Sequence, residues 1–134
     1  MSQVRSRHFS LAEANALLPE LRAWLSELWR LDRLLTPLAS ELRPHLKRAA
    51  SHNIGGPLLE VWLTLSLRWH HVLNQILCSG VLIKDLSRGL VDFPHRLPDG
   101  REVLLCWEPS EPEIAYYHGL DDGFAGRQAL DDLA

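Results

Sequence analysis

The sequence predicts an α+β fold in which a long, antiparallel and coiled-coil-like helical hairpin precedes a small antiparallel sheet. Apolar residues recur at alternating spacings of four and three up to about residue 79, and alternate with other residues from residue 81 onward. The chain of 134 residues has 46% hydrophobic and 23% charged residues, which suits one globular core. We therefore expect a single domain over residues 1–134, with an irregular tail over residues 119–134.

The first predicted helix covers residues 10–48. Ser10 and Glu13 have the spacing of a capping box at its start. Its seam has the heptad spacing of a coiled coil and consists of Leu17, Leu21, Trp24, Leu28, Leu31, Leu35, Leu38 and Leu42. Because the seam keeps its phase across Pro37, we expect the helix to kink there and not to end.

The second predicted helix covers residues 57–79 and follows a turn-rich linker over residues 51–57. Its seam consists of Leu58, Trp62, Leu65, Trp69, Val72 and Ile76. A second apolar stripe consists of Leu59, Leu63, Leu73 and Leu77. One partner helix cannot cover both stripes, so the sheet or a second copy of the chain must bury the excess. We expect a homodimer.

The predicted sheet has four strands, over residues 81–85, 89–97, 101–107 and 113–118. Asp99 and Gly100 form a typical hairpin turn between the second and third strands. Alternation in the third strand places Leu105 and Trp107 on one face and Cys106 on the other.

Composition and charge exclude several classes of protein. A formal net charge of −3 disfavours a general nucleic-acid surface, and no apolar run reaches the length of a membrane span. The two cysteines, Cys78 and Cys106, lack CxxC spacing, and the N-terminus lacks a secretory signal. We therefore expect free thiols, a cytoplasmic location, and neither nucleic acid nor membrane as a partner.

Several stretches carry a resemblance to a known family. They are Phe9 through Pro19, Lys84-Asp85-Leu86 with Gly89 through Pro94, Leu105-Cys106-Trp107, and Glu111 through His118 with Gly123 and Gly126-Arg127. In this order they resemble an uncharacterised bacterial family, catalogued as a domain of unknown function, number 2203. This chain has Ser110-Glu111 and Tyr117-His118 where the family pattern has Gly-Glu and Trp-His, so the glutamate and the histidine match. The resemblance implies no biochemical activity.

A candidate metal site lies in the last third of the chain. Its residues are Asp92, Cys106, Glu111 and His118, whose side chains bind divalent transition metals such as zinc or iron. If Trp107 pairs with Pro112, strand alternation places Cys106 and His118 on opposite faces, and one ion reaches both only through a bulge. The alternative is a buried cysteine, an exposed glutamate and a hydrogen-bonded histidine without a metal.

The same region allows other roles. Asp92 and Arg127 could form a buried ion pair that fixes the tail to the sheet, or Arg127 could bind a carboxylate or a phosphate. Nucleophilic catalysis would need Cys106 with His118 as its base, and the predicted alternation separates them. We therefore expect Glu111, His118 and Arg127 to form one polar group, with Asp92 as a bridge.

Two histidines lie in the second helix. His70 and His71 point about 100° apart, so they cannot readily share one ion. We expect His70 to be a partly buried, hydrogen-bonded residue and not a haem ligand.

Two functional hypotheses follow. The first is a non-enzymatic interaction or structural module that forms a homodimer and has an unidentified protein partner. The second is a metal-binding or metal-dependent protein that uses the last-third residues. A pocket for an apolar ligand is a third possibility that no motif predicts.

Overall fold

The fold class is as predicted. A computed structural model of the protein describes residues 7–47 and 56–133. Two helices, Leu11–Lys47 (α1) and Pro57–Cys78 (α2), precede the sheet. The strands are Leu82–Asp85 (β1), Leu90–Arg96 (β2), Glu102–Trp107 (β3), Tyr116–Gly119 (β4) and Gln128–Ala129 (β5). Neither helix has the length and the apolar character that crossing a membrane requires, as far as the described residues extend.

The start of α1 confirms the predicted capping box. The backbone N–H of Glu13 donates to Ser10 Oγ over 3.0 Å, and the N–H of Ser10 donates to Glu13 Oε1 over 2.8 Å. Pro37 lies inside α1 and does not end it. The predicted last residue, Arg48, and most of the predicted linker, residues 51–55, lie outside the described residues.

The chain divides into two compact units. Residues up to Leu25 and from Ile76 onward make the first, here called the sheet unit, and Ser26–Gln75 make the second, here called the helical unit. Each helix contributes one part to each unit. The expectation of a single domain stays a prediction.

Within the helical unit the two helices run antiparallel, which confirms the predicted hairpin. Near one end Arg68 Nε donates to Glu27 Oε2 over 3.3 Å. Near the other end both helices line one pocket of about 210 Å³, with Ala39, Leu42 and Arg43 from α1 and Leu59 and Trp62 from α2.

The buried stripe of α1 differs in its first half from the predicted seam. The apolar residues that are buried are Ala14, Leu18, Leu21, Leu25, Leu28, Leu31 and Leu42. Leu17 and Trp24 are only partly buried, because Leu18 and Leu25, one position further on, occupy the buried face. The helical period is correct, and the centre of the buried face is rotated.

The sheet has the order β1-β2-β3-β4-β5, and all neighbouring strands are antiparallel. The four predicted strands are present, and the tail adds a fifth, β5, in which Gln128 pairs with Tyr117 and Ala129 with Tyr116. A strand of two residues is too short to show alternation in a sequence. The fourth strand also begins later than predicted, since the N–H of Ile114 donates to Asn15 Oδ1 of α1 over 2.9 Å.

The segment before α1 is fixed on β2. The N–H of Phe9 donates to Pro94 O over 2.7 Å, and His95 Nδ1 donates to Phe9 O over 2.7 Å. The rings of Phe9 and Phe93 pack edge to face with their centres 5.2 Å apart. These contacts hold the beginning of α1 against the strand that carries Asp92.

Candidate functional site

Three buried polar side chains from three adjacent strands converge on one face of the sheet. Asp92 of β2 lies opposite Cys106 of β3, and His118 of β4 lies opposite Leu104. Opposed residues of antiparallel strands share a face, and so do residues two apart in one strand. One ligand atom from each of Asp92, Cys106 and His118 lies within 4.8 Å of the other two. The three residues are 1%, 1% and 2% exposed.

The prediction that Cys106 and His118 face opposite ways was therefore wrong. In the predicted register Cys106 would lie opposite Glu113, whereas it lies opposite Tyr116, three residues further along. Side chains alternate with a period of two, so an odd shift moves His118 to the other face. No bulge between β3 and β4 is needed to bring Cys106 and His118 together.

The connection between β3 and β4 explains this register. Arg22 of α1 donates to Pro109 O and to Glu111 O, each over 2.7 Å. The indole N–H of Trp107 also donates to Glu111 O, over 2.9 Å. These bonds hold a loop over residues 108–115, so Trp107 does not pair with Pro112.

The hydrogen bonds of His118 show which ring nitrogen carries a proton and which can bind a cation. Nδ1 lies 2.8 Å from Gly119 O, and a carbonyl oxygen only accepts, so Nδ1 carries a proton. Nε2 faces both carboxylate oxygens of Asp92, at 3.1 and 3.2 Å. Two acceptors at this distance attract each other only when a proton or a metal cation lies between them.

Lys84 is a cation beside Asp92, and no sequence pattern indicated it as a site residue. Its Nζ lies 3.8 Å from Asp92 Oδ2, and its side chain is 46% exposed. The register of β1 against β2 shifts between Ile83 and Asp85, so Lys84 lies at a bulge. Bulges redirect side chains and are common beside functional sites, but a bulge depends on the pairing of two strands and has no local sequence signal here.

Cys106 is not an activated nucleophile. Burial, and then the negative charge of Asp92, raise the pKa of the Cys106 thiol to about 11, against the lowering effect of Arg127. His118 offers neither ring nitrogen to the thiol, because Nδ1 is bonded to Gly119 and Nε2 to Asp92. A pairing of Cys106 with His118 as its base is thus not the arrangement found.

Glu111 and Arg127 form a separate pair. Arg127 Nη2 donates to the two carboxylate oxygens of Glu111 over 2.7 and 2.8 Å, and to Cys106 O over 3.2 Å. Arg127 thus pairs with Glu111, which belonged to the same predicted polar group, and not with Asp92, which the sequence also allowed. The expectation that Glu111 belongs to the metal-ligand cluster is corrected, since its carboxylate is held by Arg127 and by the N–H of Glu108.

A pocket of about 250 Å³ opens onto the three converging side chains. Besides them it is lined by Lys84, Leu90, Leu120, Asp121, Gly123 and Phe124. An ion held by Asp92, Cys106 and His118 would therefore border a space for a further ligand.

Asp122 braces the loop that forms one wall of this pocket. Its Oδ2 accepts from the N–H of Gly119 over 3.1 Å, and the carbonyl of the same Gly119 accepts from His118. A Cβ on Gly119 would come within 2.6 Å of Asp122 Oδ2, and one on Gly126 within 2.7 Å of Asp122 Cβ. Both glycines permit the close approach of Asp122 that supports the His118 ring.

The histidines of α2 lie apart from this site. His70 is exposed and not partly buried as expected; its Nδ1 donates to Ser66 O over 2.8 Å, and its ring contacts Trp69 edge to face. His71 is exposed. Among the described residues, the group of Asp92, Cys106 and His118 is the one set of three such side chains close enough to hold a metal.

Comparison with known proteins identifies a family and nothing more. A family model described as "Uncharacterized conserved protein (DUF2203)" matches residues 7–130 of the chain. No curated protein matches, and no solved structure does.

Proposed function

Because the chain belongs to the family of uncharacterized conserved proteins DUF2203, whose description names no activity, we propose from the site itself that it binds a divalent transition metal. The ligands are Asp92, Cys106 and His118. The observation that carries the proposal is their convergence: a carboxylate, a thiol and an imidazole, all buried, with ligand atoms within 4.8 Å of one another. Nitrogen, sulfur and oxygen donors in this combination favour zinc, with iron as the second choice.

The distances suit a tetrahedral ion. Zinc bonds to nitrogen, oxygen and sulfur place neighbouring ligand atoms roughly 3.3 to 3.8 Å apart. His118 Nε2 and the Asp92 oxygens lie 3.1 and 3.2 Å apart, close to this range, and the sulfur of Cys106 lies within 4.8 Å of a ligand atom of each. The bond from His118 Nδ1 to Gly119 O is the outer contact that metal-binding histidines usually make.

Three protein ligands leave one position of a tetrahedral ion for a water molecule or a ligand. The pocket of about 250 Å³ adjoins the cluster on its accessible side. Structural zinc sites are closed by four protein ligands, whereas sites that exchange ligands keep one position open. The arrangement therefore supports a metal-dependent role more than a purely structural ion.

Metal analysis tests the proposal. Protein freed of any affinity tag should contain about one zinc per chain, and adding zinc to stripped protein should raise its melting temperature. Replacing one ligand, in C106S or H118Q, should weaken zinc binding more than about 100-fold, since even outer contacts matter 10- to 100-fold.

The matched controls are C78S and H71Q, which replace an exposed cysteine and an exposed histidine of α2. Both should bind zinc like the unmodified protein. If the protein contains no stoichiometric metal, and zinc, iron and copper leave its melting temperature unchanged, the proposal is wrong. His118, Lys84 and Asp92 would then form a metal-free ion-pair cluster.

The exposed leucines of α2 support a homodimer as a second proposal. In the helical unit Leu63 is 46% and Leu67 71% exposed, on the side of the second predicted stripe. The face that they share with Ser66 and His70 contains no charged residue, so a two-fold contact would place no like charges opposite each other. We propose that a second copy of the chain covers this face, and that hairpins associate toward a four-helix arrangement.

Light scattering tests the dimer. The unmodified protein should be a dimer at micromolar concentration, and L67E should be a monomer with unchanged helix content. The matched control is T64E, which adds the same charge one turn earlier on the polar side. A strictly monomeric protein would contradict the proposal.

We also propose that the protein is cytoplasmic. Both cysteines are free, and Cys78 is exposed. An exposed free thiol persists in a reducing compartment. Fractionation of cells that produce the protein would test this.

A further inference from the structure

The pocket beside the metal ligands has a polar floor and mainly apolar walls. The floor consists of the three buried polar side chains, and one cation and several apolar side chains stand around it. We infer that the open position at the metal site takes a small monoanion with an apolar group, of the kind of an aryl or short alkyl carboxylate. This inference rests on the proposed metal site and adds the class of its ligand.

Lys84 supplies the cation. The bulge in β1 directs it toward Asp92, yet the contact of 3.8 Å is longer than a direct hydrogen bond. The ammonium group carries three donors, so it has donors left for an oxygen that enters the pocket. Because the side chain is also about half exposed, its ammonium group can move toward a ligand without disrupting the strand pairing.

The charges around the site favour one negative charge on the ligand. A dication held by the carboxylate of Asp92 and the thiolate of Cys106 has no net charge, so Lys84 is the cationic side chain in the pocket lining that attracts an anion. Asp121 brings a carboxylate to the same pocket, where it would repel a second negative charge. A monocarboxylate therefore fits better than a dicarboxylate or a phosphate dianion.

Phe124 provides an apolar wall that is held in place. Its ring lies under two guanidinium groups, with Arg88 4.5 Å and Arg127 4.6 Å from the ring centre. Each arginine is already paired with a glutamate, Arg88 with Glu108 at 3.2 Å and Arg127 with Glu111 at 2.7 Å. Neither arginine lines the pocket, so both brace the ring and are not the groups that bind the anion.

Two leucines complete the apolar wall. Leu90 is buried, and Leu120 is 56% exposed at the side of the pocket that faces solvent. Exposed apolar side chains beside a buried polar floor are typical of sites that orient a ligand by its polar head and bury its apolar part. The carboxylate of the ligand would face the metal and Lys84, and its apolar group would contact Phe124 and Leu120.

Calorimetric titration of the zinc-loaded protein with benzoate tests this inference. Zinc content is measured on the same samples. Benzoate should bind about 10-fold more tightly than acetate, because the phenyl group buries apolar area against Phe124. Phthalate, which adds a second carboxylate, should bind more weakly than benzoate, and benzyl alcohol, which has no charge, should not bind detectably.

Variants assign the two contacts separately. K84Q, which removes the positive charge, should weaken benzoate binding about 10-fold or more. K84R, which retains the charge, should bind benzoate like the unmodified protein. F124A should reduce the preference for benzoate over acetate about 10-fold and leave acetate binding nearly unchanged. The matched control is R96Q, which removes an exposed arginine paired with Glu102, outside the residues that line this pocket.

The outcomes separate this inference from the proposed function. Stoichiometric zinc without benzoate binding, or with binding that ignores K84Q, overturns the ligand class and leaves the metal site intact. If the protein binds no zinc but binds benzoate in a way that depends on Lys84, the anion site is supported and the metal site is wrong. If neither zinc nor benzoate binds, both are wrong.

Discussion

The sheet unit and the helical unit differ in which side chains lie in an unfavourable environment. The sheet unit buries Asp92 and His118 beside Cys106. The helical unit leaves Leu63 and Leu67 exposed. Burying a charge costs free energy unless a partner compensates it, and exposing a leucine forgoes the gain of burial. This difference is the basis of the two proposals, a cation bound inside the sheet unit and a second copy of the chain on the helical unit.

The largest expected effect breaks the compensation inside the sheet unit. In metal-free protein, H118L should lower the free energy of unfolding by about 3 kcal/mol, because Asp92 stays buried without its nearest partner. The double variant D92N/H118L should recover much of that loss, since no uncompensated charge remains. Urea denaturation measures both, with H71L as the exposed control. Equal losses in the single and double variants would show that Asp92 and His118 do not act as a pair.

The next effect compares a buried with an exposed leucine inside the helical unit. Leu28 is fully buried and Leu67 is 71% exposed. L28A should destabilise the protein by about 2 to 5 kcal/mol, because it leaves a cavity. L67A should change the stability of the monomer by less than about 0.5 kcal/mol. A loss for L67A that grows with protein concentration would show that Leu67 is buried in the dimer.

A third test compares the two cysteines by their reactivity. Cys78 of α2 is exposed, whereas burial and Asp92 raise the pKa of Cys106 from 9.0 to about 11. The smaller thiolate fraction alone makes Cys106 about 100-fold slower than an ordinary thiol toward an alkylating reagent near neutral pH. Mass spectrometry of timed iodoacetamide reactions should find Cys78 modified first. Modification of both cysteines at one rate would mean that Cys106 is open to solvent.

The smallest effect concerns the ion pairs of the helical unit. Hydrogen bonds from Arg30, and then from Arg68, lower the pKa of Glu27 to about 2 from its ordinary 4.5. A carboxyl group with a lowered folded-state pKa stabilises the fold above its ordinary pKa, and this contribution disappears as the pH falls toward 2.

The variant E27Q should therefore be slightly less stable than the unmodified protein near neutral pH. The two proteins should be equally stable when the pH falls to about 2. The effect should be small and should shrink at high salt, because the pair is partly exposed. Urea denaturation across this pH range measures it. A loss that is the same at every pH would assign the effect of E27Q to packing and not to charge.

Local patterns were enough to predict the two helices and the first four strands. The spacing of leucines on α1 and α2, the capping box of Ser10 and Glu13, and the turn at Asp99 and Gly100 all lie within a few residues. Such patterns report the conformation of a segment directly. The residue types in the last third of the chain also indicated Asp92, Cys106 and His118 as candidate metal ligands.

The tertiary structure alone decided which of these side chains meet. The pairing of β3 with β4 depends on a loop that Arg22 holds from α1, 87 residues away from Pro109 in the sequence. An odd shift in that pairing turns His118 toward Cys106, and a bulge in β1 brings Lys84 to Asp92. Glu111 pairs with Arg127 only because the tail returns as β5. Periodicity within a segment is local, whereas register is set by contacts between distant segments, and the site depends on register.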